Sequence, residues 1–265
     1  MDVNVKRIKQ SERDRQTLDR LVTTRKIVER QQPKDYRNCV VMKPWGYEYL
    51  IFENEHVAIW FLKIKGRHST SMHCHPLKRT SLVLLSGKAF CNTLQHRNYL
   101  TSPAGLIIEK SVFHSTKALS SEGIELIEIE SPPNKTDLVR LNDTYGREYH
   151  GYEGFSEMET NDLKRFNYFH FQESAEPKEL SHFAEDYAIS FETYTDDHQF
   201  QNDFRPDENE IVSPCRGQII DESGNPLLEA GEIQSGQTLK NGTKMKTKDR
   251  LSLLRIKGRS QKARS

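Results

Sequence analysis

The chain carries almost no surplus charge: 39 basic residues stand against 38 acidic ones in 265 positions, a formal net of +1. A concentrated basic surface of the kind that holds nucleic acid is therefore not expected. Long apolar runs are missing too. Nothing approaches the ~20 consecutive apolar residues that a membrane-crossing helix needs, and the charged first stretch has no apolar signal core. Cysteine is scarce and scattered, at Cys39, Cys74, Cys91 and Cys215, without paired spacing. That excludes a disulfide framework and fits a reducing compartment, so the cytoplasm is the expected location. Apolar residues reach only 35% and charged ones 29%, which points to sizeable exposed segments. A basic stretch from Lys244 to Arg264 is the one local charge excess, and as a chain terminus it reads as solvated.

What is present begins with a segment, residues 5–32, that contains neither proline nor glycine. Leu18, Leu21, Val22, Arg25 and Val28 recur there at helical spacing, so a helix closed by Pro33 is expected. Its apolar stripe is too narrow to stand alone and calls for packing on the rest of the chain or on a second subunit, and a homodimer is expected. Residues 40–131 read instead as short strands separated by turns, the pattern of an all-β barrel.

Within that barrel stands His73-Cys74-His75, followed beyond Gly105 by His114. Residues two apart on a strand share a face, so both imidazoles can turn inward while Cys74 points away as a buried thiol. A third histidine from a neighbouring strand makes a facial set of neutral nitrogen ligands with positions left open. Such ligands suit zinc, iron, nickel or manganese.

The order Gly66, His73, His75, Gly87, Gly105, His114 resembles the two histidine-bearing motifs of the cupins, whose fold is a double-stranded β-helix or jelly roll. Residues 43–48 (Lys-Pro-Trp-Gly-Tyr-Glu) and 137–147 (Asp-Leu-Val-Arg-Leu-Asn-Asp-Thr-Tyr-Gly-Arg) resemble flanking segments of the mannose-6-phosphate isomerase domain of type II isomerase/guanylyltransferases. The likeness covers residues 43–154. It implies a divalent metal on His73, His75 and His114 and a phosphorylated or nucleotide-linked sugar as substrate. Isomerase or epimerase chemistry in surface carbohydrate synthesis follows from it. The chain departs from the family at Thr80, where a metal-binding glutamate is usual, and at Glu109-Lys110-Ser111, which replaces a Pro-x-Gly turn. A three-histidine site, a site completed by another residue such as His68, and a metal-free pocket all remain open. The missing carboxylate also fits a three-histidine iron(II) dioxygenase, and a non-catalytic sugar- or partner-binding barrel is the third reading.

Other site candidates are less constrained. Arg140 and Arg147 are placed to hold a phosphate or carboxylate, since guanidinium groups grip planar anions bidentately. Ion pairing with Asp143 or Glu148 is the competing assignment. Glu48 and Tyr145 are candidates for proton transfer. Lys63 is a candidate substrate contact whose strand parity leaves it equally free to face solvent. Glu128 and Glu130 are expected on the solvent side of their strand, and Trp45 in a core or lid role.

The last third repeats the first barrel in weakened form. Residues 216–220 and 227–233 echo residues 86–90 and 104–107, and 187–194 and 251–256 supply further strands. Asp203 and Arg205 fall where the paired histidines would be, and Lys240 where His114 would be, so this barrel is expected to hold no metal. The expected organisation is a helical extension (1–39), a metal-binding barrel (40–154), a degenerate second barrel (155–258) and a basic tail (259–265).

Overall fold

Alternating apolar residues and glycine corners build the chain almost wholly from strands. The computed structural model describes residues 3–27, 31, 35–173, 180–242 and 244–258. The first part runs β1 (Asn4–Ile8), α1 (Glu12–Thr24), β2 (Val40–Lys43), β3 (Gly46–Glu53), β4 (Ala58–Ile64), β5 (Met72–Cys74), β6 (Arg79–Ser86) and β7 (Lys88–Thr93). It continues through β8 (Arg97–Thr101), β9 (Ala104–Ile108), β10 (His114–Ala118), β11 (Ile124–Ser131), β12 (Val139–Asn142) and β13 (Met158–Glu159). These strands form two facing sheets, β1-β9-β6-β11-β4-β3-β2-β13 and β12-β5-β10-β7-β8. Between them lies a core of Leu50, Trp60, Leu62, Leu82, Leu106, Ile124 and Leu126.

The second part comprises β14 (Leu180–Phe183), β15 (Tyr187–Tyr194), α2 (Asp197–Asp203), β16 (Glu210–Arg216), β17 (Ile219–Ile220) and β18 (Pro226–Leu228). It ends with β19 (Gln234–Ser235), α3 (Gly236–Asn241), β20 (Lys246–Thr247) and β21 (Leu251–Gly258). Its sheets are ordered β14-β15-β21-β16-β19 and β18-β17-β20. Strand for strand this repeats β3-β4-β11-β6-β9 and β8-β7-β10. The local irregularities repeat as well. Pairing of β11 with β6 skips Leu85, and pairing of β21 with β16 skips Cys215. Each bulge is followed by a glycine in the left-handed region, Gly87 at φ +83 and Gly217 at φ +73, where a side chain is strained.

The repeat is incomplete. Where β5 carries the paired histidines, the second part has α2, whose Phe200 and Phe204 enter the core with Tyr194, Val212, Leu251 and Leu253. Lys240 lies in α3 and not on the strand equivalent to β10, because a helix turn intervenes between β19 and β20. Asp203 ends α2, and both it and Arg205 are exposed.

The two parts pack sheet on sheet. Ile59, Phe61, Ile127 and Ile129 on the outer face of the first barrel meet Phe191, Ile211, Leu254 and Ile256 of the second. At the edge, Glu232 pairs with Arg7 at 2.7 Å and Arg79 at 3.0 Å, while the Ser81 hydroxyl donates to the Gly231 carbonyl at 2.6 Å.

The amino-terminal segment departs from the expected single helix. Residues 4–8 form a strand that pairs parallel with β9, because the sheet edge satisfies backbone groups that a polar, unpacked helix turn could not shelter. The helix begins only at Ser11, which caps it reciprocally with Asp14. Val28 and Pro33, which were expected to finish that helix, and the tail 259–265 lie outside the described residues. No helix among the described residues is long and apolar enough to cross a membrane.

Candidate metal centre

Strand pairing brings the histidines together. His73 on β5 lies directly opposite His114 on β10 and, on its other side, opposite Arg140 on β12. Cross-strand partners share a face, so these three side chains stand in a row on the inner surface. His75, two residues on, joins them. Ring centroids are separated by 4.5 Å for His73 and His114, 4.9 Å for His73 and His75, and 5.5 Å for His75 and His114. One nitrogen from each lies within 4.8 Å of the other two. Ligands about 2.1 Å from one zinc-like ion lie about 3.4 Å apart, so small ring rotations suffice.

Each ring is oriented from behind. Nδ1 of His73 faces the Ser71 carbonyl at 2.8 Å, that of His75 the Asp137 carbonyl at 2.5 Å, and that of His114 the Val112 carbonyl at 3.0 Å. A carbonyl can only accept, so Nδ1 carries the proton and Nε2 presents a lone pair inward. Nε2 of His75 is buried with no hydrogen-bond partner among the described residues. Burial pushes His73 and His75 well below the ordinary imidazole value, helped by His114 beside the first and Lys78 beside the second. Burial likewise lowers His114 to about 4. Three neutral, inward-aimed imidazoles, one with an unpartnered buried nitrogen, fit a divalent metal, and these residues would hold it.

The scaffold behind the ligands is apolar. Cys74 points away from the cavity and packs with Leu21 of α1 and Phe113, its thiol pushed up by burial. Asp14 of α1 accepts the backbone N–H of Phe113 at 3.0 Å, immediately before His114. His68 stands apart from the three histidines, facing the Gly66 carbonyl at 2.9 Å. Thr80 is buried on β6, and its hydroxyl has no partner among the described residues.

In front of the histidines lies a cavity of about 60 Å³. Trp45, Leu62 and Tyr152 wall it, and Lys43, Lys78, Lys135, Arg140 and Arg147 meet Glu48, Glu128 and Glu130 around it. Most of these charges are spent on each other. Lys78 pairs with Glu130 at 2.9 Å, and Lys135 bridges Glu48 at 3.1 Å and Glu130 at 3.2 Å. Lys43 pairs with Glu153, and Tyr152 donates to Glu48. Burial opposes ionisation of Glu48, but Lys135 and Lys43 outweigh it and hold the carboxyl below the usual range. Glu130 is held down in the same way, by Lys135 and Lys78 against burial.

The structure sorts the sequence candidates. His73, His75 and His114 converge, and Glu48, Arg140 and Arg147 line the cavity beside them. Arg147 is nevertheless committed to Asp143 at 2.9 Å and Glu153 at 2.6 Å, so the ion-pair assignment holds for it. Arg140 donates to the His150 and Gly151 carbonyls and reaches Glu153 at 3.4 Å. The Arg147 fork is fully committed, while the Arg140 Nε is buried without a partner among the described residues.

Two candidates are placed elsewhere. Lys63 is on the outer face of β4, paired with Glu125 at 2.9 Å, because it shares parity with Phe61 and not with Trp60 and Leu62. Tyr145 lies outside the cavity lining, under the Arg147 guanidinium at 5.5 Å. The expectation that Glu128 and Glu130 face solvent is wrong: both continue the inward row of Ile124 and Leu126 and line the cavity. Lys78, Lys135, Glu153 and Tyr152 were not recognised as part of the site. The alternation Ile124, Leu126, Glu128, Glu130 was the one readable signal for the acids.

No protein-family description matches the chain, and no curated protein does. Solved structures are similar to parts of it. KdgF from Halomonas sp. is 13% identical, covering 35% of this chain and 84% of that one, with a TM-score of 0.34. An RmlC-like cupin from Shewanella frigidimarina is 15% identical, with coverages of 36% and 85% and a TM-score of 0.34. The capsular polysaccharide assembling protein CapF from Staphylococcus aureus is 15% identical, with coverages of 39% and 31% and a TM-score of 0.36. The architecture itself rests on strand order, and the fold is a double-stranded β-helix of the jelly-roll type, built twice, with a three-histidine centre in its first barrel.

Proposed function

We propose that the protein is a metal-dependent enzyme that moves a proton beside the carbonyl of a sugar, as an isomerase or epimerase does. The observation that carries this reading is the convergence of three imidazoles, one nitrogen of each within 4.8 Å of the others, beside a cavity rimmed by charged side chains. A divalent metal held there would polarise a carbonyl or hydroxyl oxygen as a Lewis acid. The protein's part is to bind and orient. Trp45 and Leu62 wall the cavity, and the ion-pair network fixes its shape. Both segments with sugar-isomerase likeness, residues 43–48 and 137–147, contribute to this wall through Lys43, Trp45, Glu48, Leu138, Arg140 and Arg147. A volume of about 60 Å³ admits the reacting end of a sugar, so a phosphate or nucleotide group would stay at the mouth.

The test is to load the protein with zinc, iron(II), manganese(II) or nickel(II) and to follow sugars, sugar phosphates and nucleotide sugars by NMR in deuterium oxide. Metal-dependent conversion with solvent deuterium entering a carbon next to the carbonyl is expected. One observation favours a second reading, dioxygen chemistry at iron(II): among the described residues the three histidines have no carboxylate companion in their cluster, and Thr80 stands on the facing sheet. Substrate-dependent oxygen uptake by the iron-loaded protein, without deuterium entry, would select it.

A further inference from the structure

Four carboxylates surround or support the cavity in permanent partnership: Glu48, Glu130, Glu153 and Asp143 each face at least one cation within 3.4 Å. Glu128 does not. It sits in the middle of β11, opposite Trp60 on one side and Leu82 on the other, and its side chain enters the cavity. Its carboxyl makes no ion pair or hydrogen bond among the described residues. The side chain is half-buried and meets the cavity with no cation committed to it, which leaves the carboxyl available to a guest. We propose that Glu128 is the catalytic residue that carries the proton in this cavity, acting on a small α-hydroxycarbonyl end of the substrate. This rests on the reading of the cavity as a site of proton transfer.

The step balances without a co-reactant. The Glu128 carboxylate takes the proton from the carbon bearing the hydroxyl, the C–H electron pair becomes the C=C bond, and the old carbonyl oxygen, left as an enediolate, takes the proton of the neighbouring hydroxyl. The other oxygen, now the oxyanion, closes to the new carbonyl as the C=C pair takes the proton back from the Glu128 carboxylic acid at the former carbonyl carbon. Glu128 ends as it began. The surroundings suit both halves: burial, opposed by Lys135 and reinforced by Glu130 and Glu48, raises its carboxyl to about 7, so that acid and base forms coexist near neutrality. Lys78 also faces it and opposes the rise. Committed cations elsewhere in the cavity leave an uncharged reacting end as the natural guest.

The metal-loaded protein and its Glu128→Gln variant are to be compared on dihydroxyacetone and D-glyceraldehyde in deuterium oxide. Deuterium entry at least 100-fold slower in the variant, with equal metal content and melting temperature, is expected. Equal rates in the two proteins would overturn the inference while leaving the proton-transfer reading intact. No exchange by the wild-type protein with either probe or any sugar would overturn both. Should the glutamine variant fold poorly, Glu128→Asp gives the same decision through a lowered rate. A readout independent of turnover is the infrared band of a protonated carboxyl in the metal-free protein. It should be present at pH 6, fade by pH 8 and be missing in Glu128→Gln; its persistence in the variant would also overturn the inference.

Discussion

The two barrels share a strand order, a bulge and a glycine corner, yet one is hollow and polar while the other is filled with rings. In the first, the inner face of β5, β10 and β12 presents His73, His114 and Arg140. In the second, β5 has no counterpart; α2 takes its place and stacks Phe200 on Phe204 at 4.9 Å, with Tyr194 edge-on to Phe200 at 5.5 Å. The difference teaches that the scaffold tolerates loss of the ligand strand once apolar volume replaces what the polar cavity occupied. A cavity lined by buried charges is costly unless those charges are matched. Among the described residues of the first barrel, Glu128 alone of the cavity's acids lacks an ion pair. The second has dispensed with the expense.

The comparison can be broken most sharply at the ligands. Changing His73, His75 and His114 together to alanine should reduce bound metal from one ion per chain to none, whereas Asp203→Ala with Arg205→Ala should leave it untouched. Elemental analysis decides, and metal retained at full stoichiometry by the triple variant would end the assignment. Next in size, Phe200→Ala should open a cavity in the second barrel and lower stability by about 3–5 kcal/mol. Calorimetry would show the loss, while metal content at room temperature stays at the wild-type value. Thr80→Glu should raise metal affinity about tenfold, some 1.4 kcal/mol, by adding an anionic oxygen ligand. Unchanged affinity in a competition titration would mean that position 80 does not reach the ion.

The gentlest effect concerns pH. Folded-state histidine values lie below the unfolded value of 6.5, so unfolded rings take up protons that folded ones refuse. Their contribution to stability is therefore present above 6.5 and drains away as pH falls toward about 4. Urea titrations of the metal-free protein should show this slope, and it should shrink in the triple-alanine variant.

Much of the site was readable because strand parity is rigid. His73 and His75 share a face whatever surrounds them, and the glycines at 87 and 105 place His114 one connection away. Parity also governed what was misjudged. Glu128 and Glu130 were assigned outward by the habit that acids seek water, although Ile124 and Leu126 set the inward row. Lys63 and Trp60 are an odd and an even position of one strand, and only the partner sheet shows which parity is inside. Arg147 could not be assigned from spacing: of the expected partners Asp143 is used, while Glu148 turns to the Asp143 amide and Glu153 takes the second place across a loop. The strand at residues 4–8 was hidden because its pairing with β9 is nearly a hundred positions distant. A helix in place of β5 in the second barrel was equally invisible, since Phe200 and Phe204 read as core in either state.

Asp14 closes the first turn of its own helix and also grips the Phe113 amide next to His114. One carboxylate thus ties the amino-terminal segment to the geometry of the third ligand. Anyone shortening the protein at that end, or fusing a partner there, would be tampering with the alignment of the three imidazoles from the far side of the wall.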